Sequence, residues 1–317
     1  MSETEFDTEK LNLHRSLERW ERFTFHQHDS LESFFTAPLP YGLHSIQLSE
    51  MIVDMIISAR KGTPLIICLN GRAPRSEIAQ PPFFSGLNVQ PAGIPISIVA
   101  VNDPTIALTP DLQLAWYAGS SHADLQNILP AVFDRIIEYT EPSSVIFFGG
   151  SGGGFASLYY ANKVKGSIAL VWNPQTDILP YNIDYVKKYA EAAFGFDSDT
   201  DIALLADKVD TRPAFDGNHR NCKIIYLQNG SDWHHIDMHM NPMLQRMGLP
   251  ERAFPFAGMV ADDFFLYVGD WGEGHAVPPK HVLTALLEKL YTQPEQAFSD
   301  GGSVLLATLS EAFAAVP

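Results

Sequence analysis

Short apolar runs recur along the chain, separated by longer segments with a different period. Leu65–Leu69, Ile96–Val101, Val145–Phe148, Ile168–Trp172, Lys223–Gln228 and Phe264–Val268 are dominated by apolar side chains. Runs of that length without polar alternation read as strands covered on both faces, as in a parallel sheet. Ser121 to Tyr139 keeps another rhythm, with Leu125, Ile128, Leu129, Val132, Phe133, Ile136 and Ile137 at helical spacing. Ser121 and Asp124 suit its first turn, and Pro130 predicts a kink or break. Ile183–Phe194, Ala203–Val209, a segment beginning near His281, and Val304–Ala315 with Ser303 as N-cap read as further helices. Strands alternating with helices place the chain in the α/β class.

The N-terminal part reads differently. Residues 1–19 suggest a frayed helix. Trp20 to Ile57 holds aromatic and alternating stretches, Arg22–His26 and Leu43–Gln47, which predict short antiparallel strands. Met51–Ile57 fits helix or strand equally. Residues 72–95 contain five prolines and no period, and predict a long loop that rims the site. The expected organisation is an N-terminal extension over 1–60 and a main domain over 61–317.

Chemistry concentrates at Gly149-Gly150-Ser151-Gly152-Gly153-Gly154, between the strand-like Val145–Phe148 and the helix-like Phe155–Ala161. G-x-S-x-G at a strand-turn-helix corner holds a serine in a strained turn. Glycines on both sides leave room that Cβ atoms would fill. The hydroxyl then stands at a helix N-terminus, where N–H groups stabilise an anion. A Walker loop would need lysine where Phe155 stands. A dinucleotide loop would need glycine at Phe155 or Ser157 and an acidic residue beyond a second strand. A purely structural turn remains open from the motif alone.

A serine nucleophile needs a base, and the base an orienting acid. Asp232 follows the Lys223–Gln228 run, just past a strand's C-terminal end, where sites of open α/β sheets collect. His275 lies in the Gly-rich loop after Phe264–Val268. Serine, acid and histidine thus fall in the order Ser151, Asp232, His275. Taken singly, Asp232 is as well explained as a turn residue and His275 as an ordinary loop histidine. Asp237 and Asp270 are rival acids, and Asp270 is close enough to His275 to shape its loop.

On Gly149–Gly153, Asp232, His275 and the strand order, the chain resembles the α/β-hydrolase superfamily of serine esterases and acyl-transfer enzymes. The resemblance spans roughly Pro64 to Tyr291. It implies a mostly parallel eight-stranded sheet with helices on both faces. It also implies a small cap, expected at 173–221. An oxyanion hole is implied from two backbone N–H groups, those of Gly152 and, after the strand Pro64–Leu69, Arg72. Relatives often carry His-Gly in that second loop, where this chain has Asn70-Gly71. The run Ser151–Ala156 with the later Trp172-Asn173-Pro174-Gln175 is similar to bacterial proteins acting on acyl groups of cell-surface glycans. The resemblance implies an ester hydrolase with no cofactor or, alternatively, an acyltransferase acting on a small-molecule or glycan ester. Asn70, Trp116, Tyr117, Asn173 and Gln175 are expected to line the pocket, because each lies in a loop near the sheet's C-terminal edge.

Charge narrows the partners. Net charge is −16, from 37 acidic and 21 basic residues. Nucleic acid draws on clustered Lys and Arg, so it is disfavoured as a partner, and polyanionic substrates with it. Two cysteines, Cys68 and Cys222, give no disulfide framework; with an acidic, polar N-terminus lacking a leader pattern, the expectation is a cytoplasmic protein without a membrane span. Two other functions compete. His235 and His239 are four apart beside His234 and Asp237, with His26 and His28 upstream, a spacing that suits a metal-dependent hydrolase. HExxH is absent, however, and the cluster begins right after the expected acid. The other competitor is a non-catalytic binding protein on the same fold.

Overall fold

The computed structural model describes residues 13–75, 79–89, 93–213, 215 and 220–315. Most of the frayed helix expected over 1–19 lies outside these; what is described there is only a short 3₁₀ turn, Glu18–Trp20. The strands are β1 (Phe25–His28), β2 (Gly42–Gln47), β3 (Ile52–Ser58), β4 (Leu65–Leu69), β5 (Ser97–Val101), β6 (Val145–Gly150), β7 (Ile168–Trp172), β8 (Lys223–Asn229), β9 (Phe256–Ala261) and β10 (Phe264–Gly269). They form one sheet in the order β1-β2-β3-β5-β4-β6-β7-β8-β10-β9. That is ten strands, where the resemblance implied eight.

Between and after them run α1 (Leu31–Thr36), α2 (Leu125–Thr140), α3 (Gly152–Ala161), α4 (Ile183–Phe194), α5 (Asp199–Ala203), α6 (Trp233–His235), α7 (Asn241–Arg246), α8 (Lys280–Thr292) and α9 (Ser303–Ala314). The strands from β5 through β8 and β10 pair in parallel, each joined by a crossover. Pleating explains why their sequences are apolar throughout. In β4, Leu65, Ile67 and Leu69 face a core layer built with α2 and α3, while Ile66 and Cys68 face a second layer built with α8 and α9. In β8, Ile224 and Tyr226 join the first layer, and Ile225 and Leu227 the second. A third cluster seats α4 against Trp116 and Phe155, on the chain segment expected to form a cap.

Several expectations change. β1 and β2 are parallel, not antiparallel. Ser30 caps α1 between them with a reciprocal Ser30–Ser33 box, and a helix in the connection carries the chain back to restart in the same direction. β2 and β3 do pair antiparallel, and the ambiguous Met51–Ile57 is the buried strand β3. Pro130 does not interrupt α2, whose Leu129, Val132 and Phe133 are fully buried and hold it in place. Asp124 caps that helix; Gly302, not Ser303, precedes α9. Among the described residues, no helix is long and apolar enough to cross a membrane.

Candidate active site

Ser151 joins β6 to α3 with φ 55° and ψ −123°, a conformation that L-residues avoid. Its N–H donates to the Trp172 carbonyl, 3.1 Å away. Each flanking glycine has a steric reason. A Cβ on Gly149 or Gly153 would run into the Leu69 carbonyl, one on Gly150 into the Trp172 indole, and one on Gly152 into Leu114. Gly71 presses on the same corner, where its Cβ would lie 3.3 Å from that of Ser151. The turn is therefore clamped between the ends of β4 and β7.

Asp232 follows β8 and caps α6, its carboxylate accepting the His235 N–H at 3.4 Å. His275 Nδ1 donates to Asp232 Oδ2 across 2.6 Å. The loop carrying His275 is strapped to the sheet edge. Asn229 Nδ2 donates to the carbonyls of Gly272 (2.7 Å) and Gly274 (2.6 Å). Asn173 Nδ2 and the Trp271 indole N–H both donate to the Ala276 carbonyl at 2.8 Å. Burial alone would raise the Asp232 carboxyl; the bonds from His235 and His275 outweigh it and hold it well below the usual carboxylate range.

Ser151, Asp232 and His275 line one cavity of about 680 Å³. Asn70, Arg72 and Asn173 line it too. From the segment over 173–221 come Tyr181, Asn182 and Tyr185. The Arg72 guanidinium reaches across to the Tyr185 hydroxyl, 2.8 Å. The N–H groups of Gly71 and Arg72 donate to no acceptor among the described residues; Gly71 lies against the serine, and Arg72 lines the same cavity. Ser151 and His275 are not hydrogen-bonded to each other; Ser151 Oγ instead accepts from Gln175 Nε2 at 3.0 Å. Gln175 Oε1 accepts from the Trp116 indole at 2.6 Å, which fixes the amide's orientation. The serine's own proton stays available.

Trp116 and Tyr117 do not line the cavity. Both sit in positive-φ backbone with their rings turned into the core, 0% and 1% exposed. Gln175, also expected on the lining, is fully buried behind it, held between the Trp116 indole and Ser151 Oγ. The Tyr117 hydroxyl accepts the Asn70 N–H at 2.9 Å and lies 2.7 Å from the Val101 carbonyl. Asp237 is exposed, and Asp270 accepts the Gly272 N–H within its own loop. Asn229, Tyr181 and Tyr185 escaped sequence reading; for Asn229 the signal was its place at the last position of a buried strand.

The histidine cluster is hydrogen-bonded through the Nδ1 atoms of His235 and His239, while their buried Nε2 atoms have no partner among the described residues. α6 continues as a π-helical turn, Ile236–Met240, and brings the His235 and His239 rings to 5.1 Å. His239 Nδ1 accepts the Thr176 N–H at 3.3 Å, so a neutral ring carries its proton on Nε2. Burial, with His235 and His234 adding, pushes that imidazole down to about 2. His235 turns its Nδ1 to Asp232. The donor atoms of Asp232, His235 and His275 lie within 4.8 Å of one another. Each ring points a nitrogen at the carboxylate, an arrangement that two imidazole N–H donors satisfy.

The chain has an α/β-hydrolase fold. It superposes on the capsule O-acetyltransferase of Neisseria meningitidis serogroup A with a TM-score of 0.54 at 13% identity, covering 81% of this chain and 98% of that one. The acylaminoacyl peptidase of Pyrococcus horikoshii matches with a TM-score of 0.52 at 12% identity, over 86% of this chain and 44% of that one. A 2,6-dihydroxy-pseudo-oxynicotine hydrolase matches at 0.50 and 13% identity, over 80% and 69%. No protein-family model and no curated protein matches the sequence.

Proposed function

We propose that the chain is a serine acyl-ester hydrolase or acyltransferase whose nucleophile, base and acid are Ser151, His275 and Asp232. The observation that carries this is the 2.6 Å His275–Asp232 bond on the wall of the cavity that holds the strained serine. His275 takes the Ser151 proton as Oγ attacks an ester carbonyl. Asp232 fixes the ring's tautomer and stabilises the imidazolium. The N–H groups of Gly152 and Arg72 receive the oxyanion, each worth about 3 kcal/mol of barrier. As the adduct collapses, the ester C–O bond breaks and His275 passes the serine proton to the leaving alcohol. Water, or an acceptor hydroxyl, then attacks the acyl-enzyme and gives its proton to His275, which returns it to Ser151 Oγ as the acyl group departs. The Ser151–His275 contact forms as substrate settles, since such bonds are often loose without it. The segment over 173–221 serves as a cap, supplying Tyr181, Asn182 and Tyr185 to the cavity wall.

Transfer of an acetyl group to a glycan hydroxyl is the second reading. It is favoured by the capsule O-acetyltransferase likeness, which spans nearly all of that enzyme and most of this chain. A panel of p-nitrophenyl esters and acetylated sugars, with and without added sugar acceptors, separates the two. The mechanism itself is tested with a fluorophosphonate probe and p-nitrophenyl acetate. Ser151→Ala abolishes labelling, and Ser151→Ala or His275→Ala lowers turnover on the order of 10⁴-fold. Turnover that survives in Ser151→Ala but disappears on chelation would move the chemistry to a metal. Absence of labelling in folded wild-type protein would favour a binding module.

A further inference from the structure

Asp232 holds two imidazoles, while the proposed chemistry calls for one. His275 Nδ1 meets Oδ2 at 2.6 Å, and His235 Nδ1 lies 3.0 Å from each carboxylate oxygen. The two rings stack, with centroids 4.2 Å apart and planes at 28°. Their surroundings differ: His235 is 4% exposed, whereas the His275 side chain is 41% exposed at the end of a glycine-rich loop. His235 also donates its backbone N–H to the same carboxylate.

We propose that His235 is a positioning residue for the Asp232–His275 pair, donating to the carboxylate and forming the wall against which the base stacks. This rests on the Ser151–His275–Asp232 reading above. A buried carboxylate has more lone pairs than His275 can satisfy, and each unmet one costs stability and lets the group turn. Without His235, Oδ1 keeps only a long backbone bond. Among the described residues, the aromatic ring stacked on the exposed His275 imidazole is that of His235.

Charge bears on the same arrangement. The groups facing His235 are Asp232, His275, His234, His239 and Tyr181. His275 faces Asp232 and His235, with Glu273 and Asp270 in its own loop and Arg72 on the cavity wall. His275 gains a proton in each cycle, and a second cation stacked on it would oppose that step. Burial, against the pull of Asp232, lowers the His235 imidazole and favours its neutral form. The stacked neighbour is thus a donor without being a charge.

The test compares His235→Phe, His235→Asn and His235→Gln by kcat/KM against pH and by fluorophosphonate labelling rate. Phe keeps a ring and loses the donor. Asn places an amide N–H near the Nδ1 position, and Gln places one near Nε2. In His235→Phe and His235→Gln the carboxylate has one donor fewer and attracts the proton on His275 more strongly. The acid limb moves up by on the order of half a pH unit, and the plateau falls about 10-fold. His235→Asn returns the limb to its wild-type position. Should Phe fail to fold, the Asn–Gln contrast carries the same information. A native limb and plateau in His235→Phe, or identical limbs in Asn and Gln, overturns the proposal. If Ser151→Ala or His275→Ala keeps wild-type turnover, the parent reading falls and this one with it. If those variants are inactive while His235→Phe matches wild type, only the role of His235 falls.

Discussion

Acid destabilises this protein through a histidine far from the cavity. His44 on β2 is fully buried. Its Nε2 donates to the Pro40 carbonyl at 2.8 Å, and its Nδ1 accepts from His28 Nε2 at 3.0 Å. The His28 contact needs a neutral His44 ring, because a protonated Nδ1 would face another donor, whereas the Pro40 bond is made by either form. Burial, opposed by the Pro40 bond and reinforced by His26 and His28, pushes its imidazole down to about 4 from an ordinary 6.5. The folded state thus refuses a proton that the unfolded chain accepts. Stability from this group is intact above pH 6.5 and is lost as pH falls toward 4. The whole interval is worth about 3 kcal/mol, and about 2 kcal/mol is gone by pH 5. His28 is pushed in the same direction, by burial and then by His26. Urea unfolding of wild type and His44→Gln, at pH steps from 7.5 to 5, isolates the contribution. Glutamine keeps a donor for Pro40 and an acceptor for His28 but does not titrate. At pH 7.5 the variant is the less stable; by pH 5 the gap has closed by about 2 kcal/mol, a midpoint change on the order of half a molar. Curves that stay parallel across that range would refute the reasoning; the difference reads His44 together with His28, which is bonded to it, while His235 and His239 face other groups and are common to both proteins.

Two further outcomes are expected. Gln175→Leu breaks the Trp116–Gln175–Ser151 chain without changing shape much, and kcat/KM for p-nitrophenyl acetate falls about 10- to 100-fold with circular dichroism unchanged; full activity would make that bond incidental. Asp54→Ala removes the carboxylate that Arg15 meets at 2.7 and 2.8 Å, with the two side chains 2% and 1% exposed. Breaking so buried a pair costs about 3–5 kcal/mol, and thermal unfolding shows it as a Tm lower by on the order of 10 °C.

What sequence reading recovered was local. The glycines around Ser151 are dictated by atoms that meet them at the corner, and buried parallel strands leave unbroken apolar runs. That Asp232 and His275 meet at the cavity holding Ser151 was legible because strand ends are where loops converge. What escaped depends on distant chain. The parallel pairing of β1 follows from α1, a short helix whose capping box outweighs weak periodicity. Trp116 and Tyr117 looked like pocket residues until their partners, Gln175 and Asn70 with Val101, drew them inward. His235 and His239 suggested a pair by spacing. Yet α6 sets residue 235 one turn from its own cap, Asp232, and that nearer partner captured the ring.

The strap at the end of β8 bears on how the protein ages. Asn229 is followed by Gly230, the dipeptide in which an asparagine side chain most readily cyclises and hydrolyses to aspartate. Here the nitrogen that must attack is occupied, since Gly230 N–H donates to the Gly269 carbonyl at 2.6 Å. Both hydrogens on the Asn229 amide are engaged as well, holding the carbonyls beside His275. The folded chain keeps a chemical clock stopped at the point where one tick would put a negative charge against those carbonyls and cast the base loose.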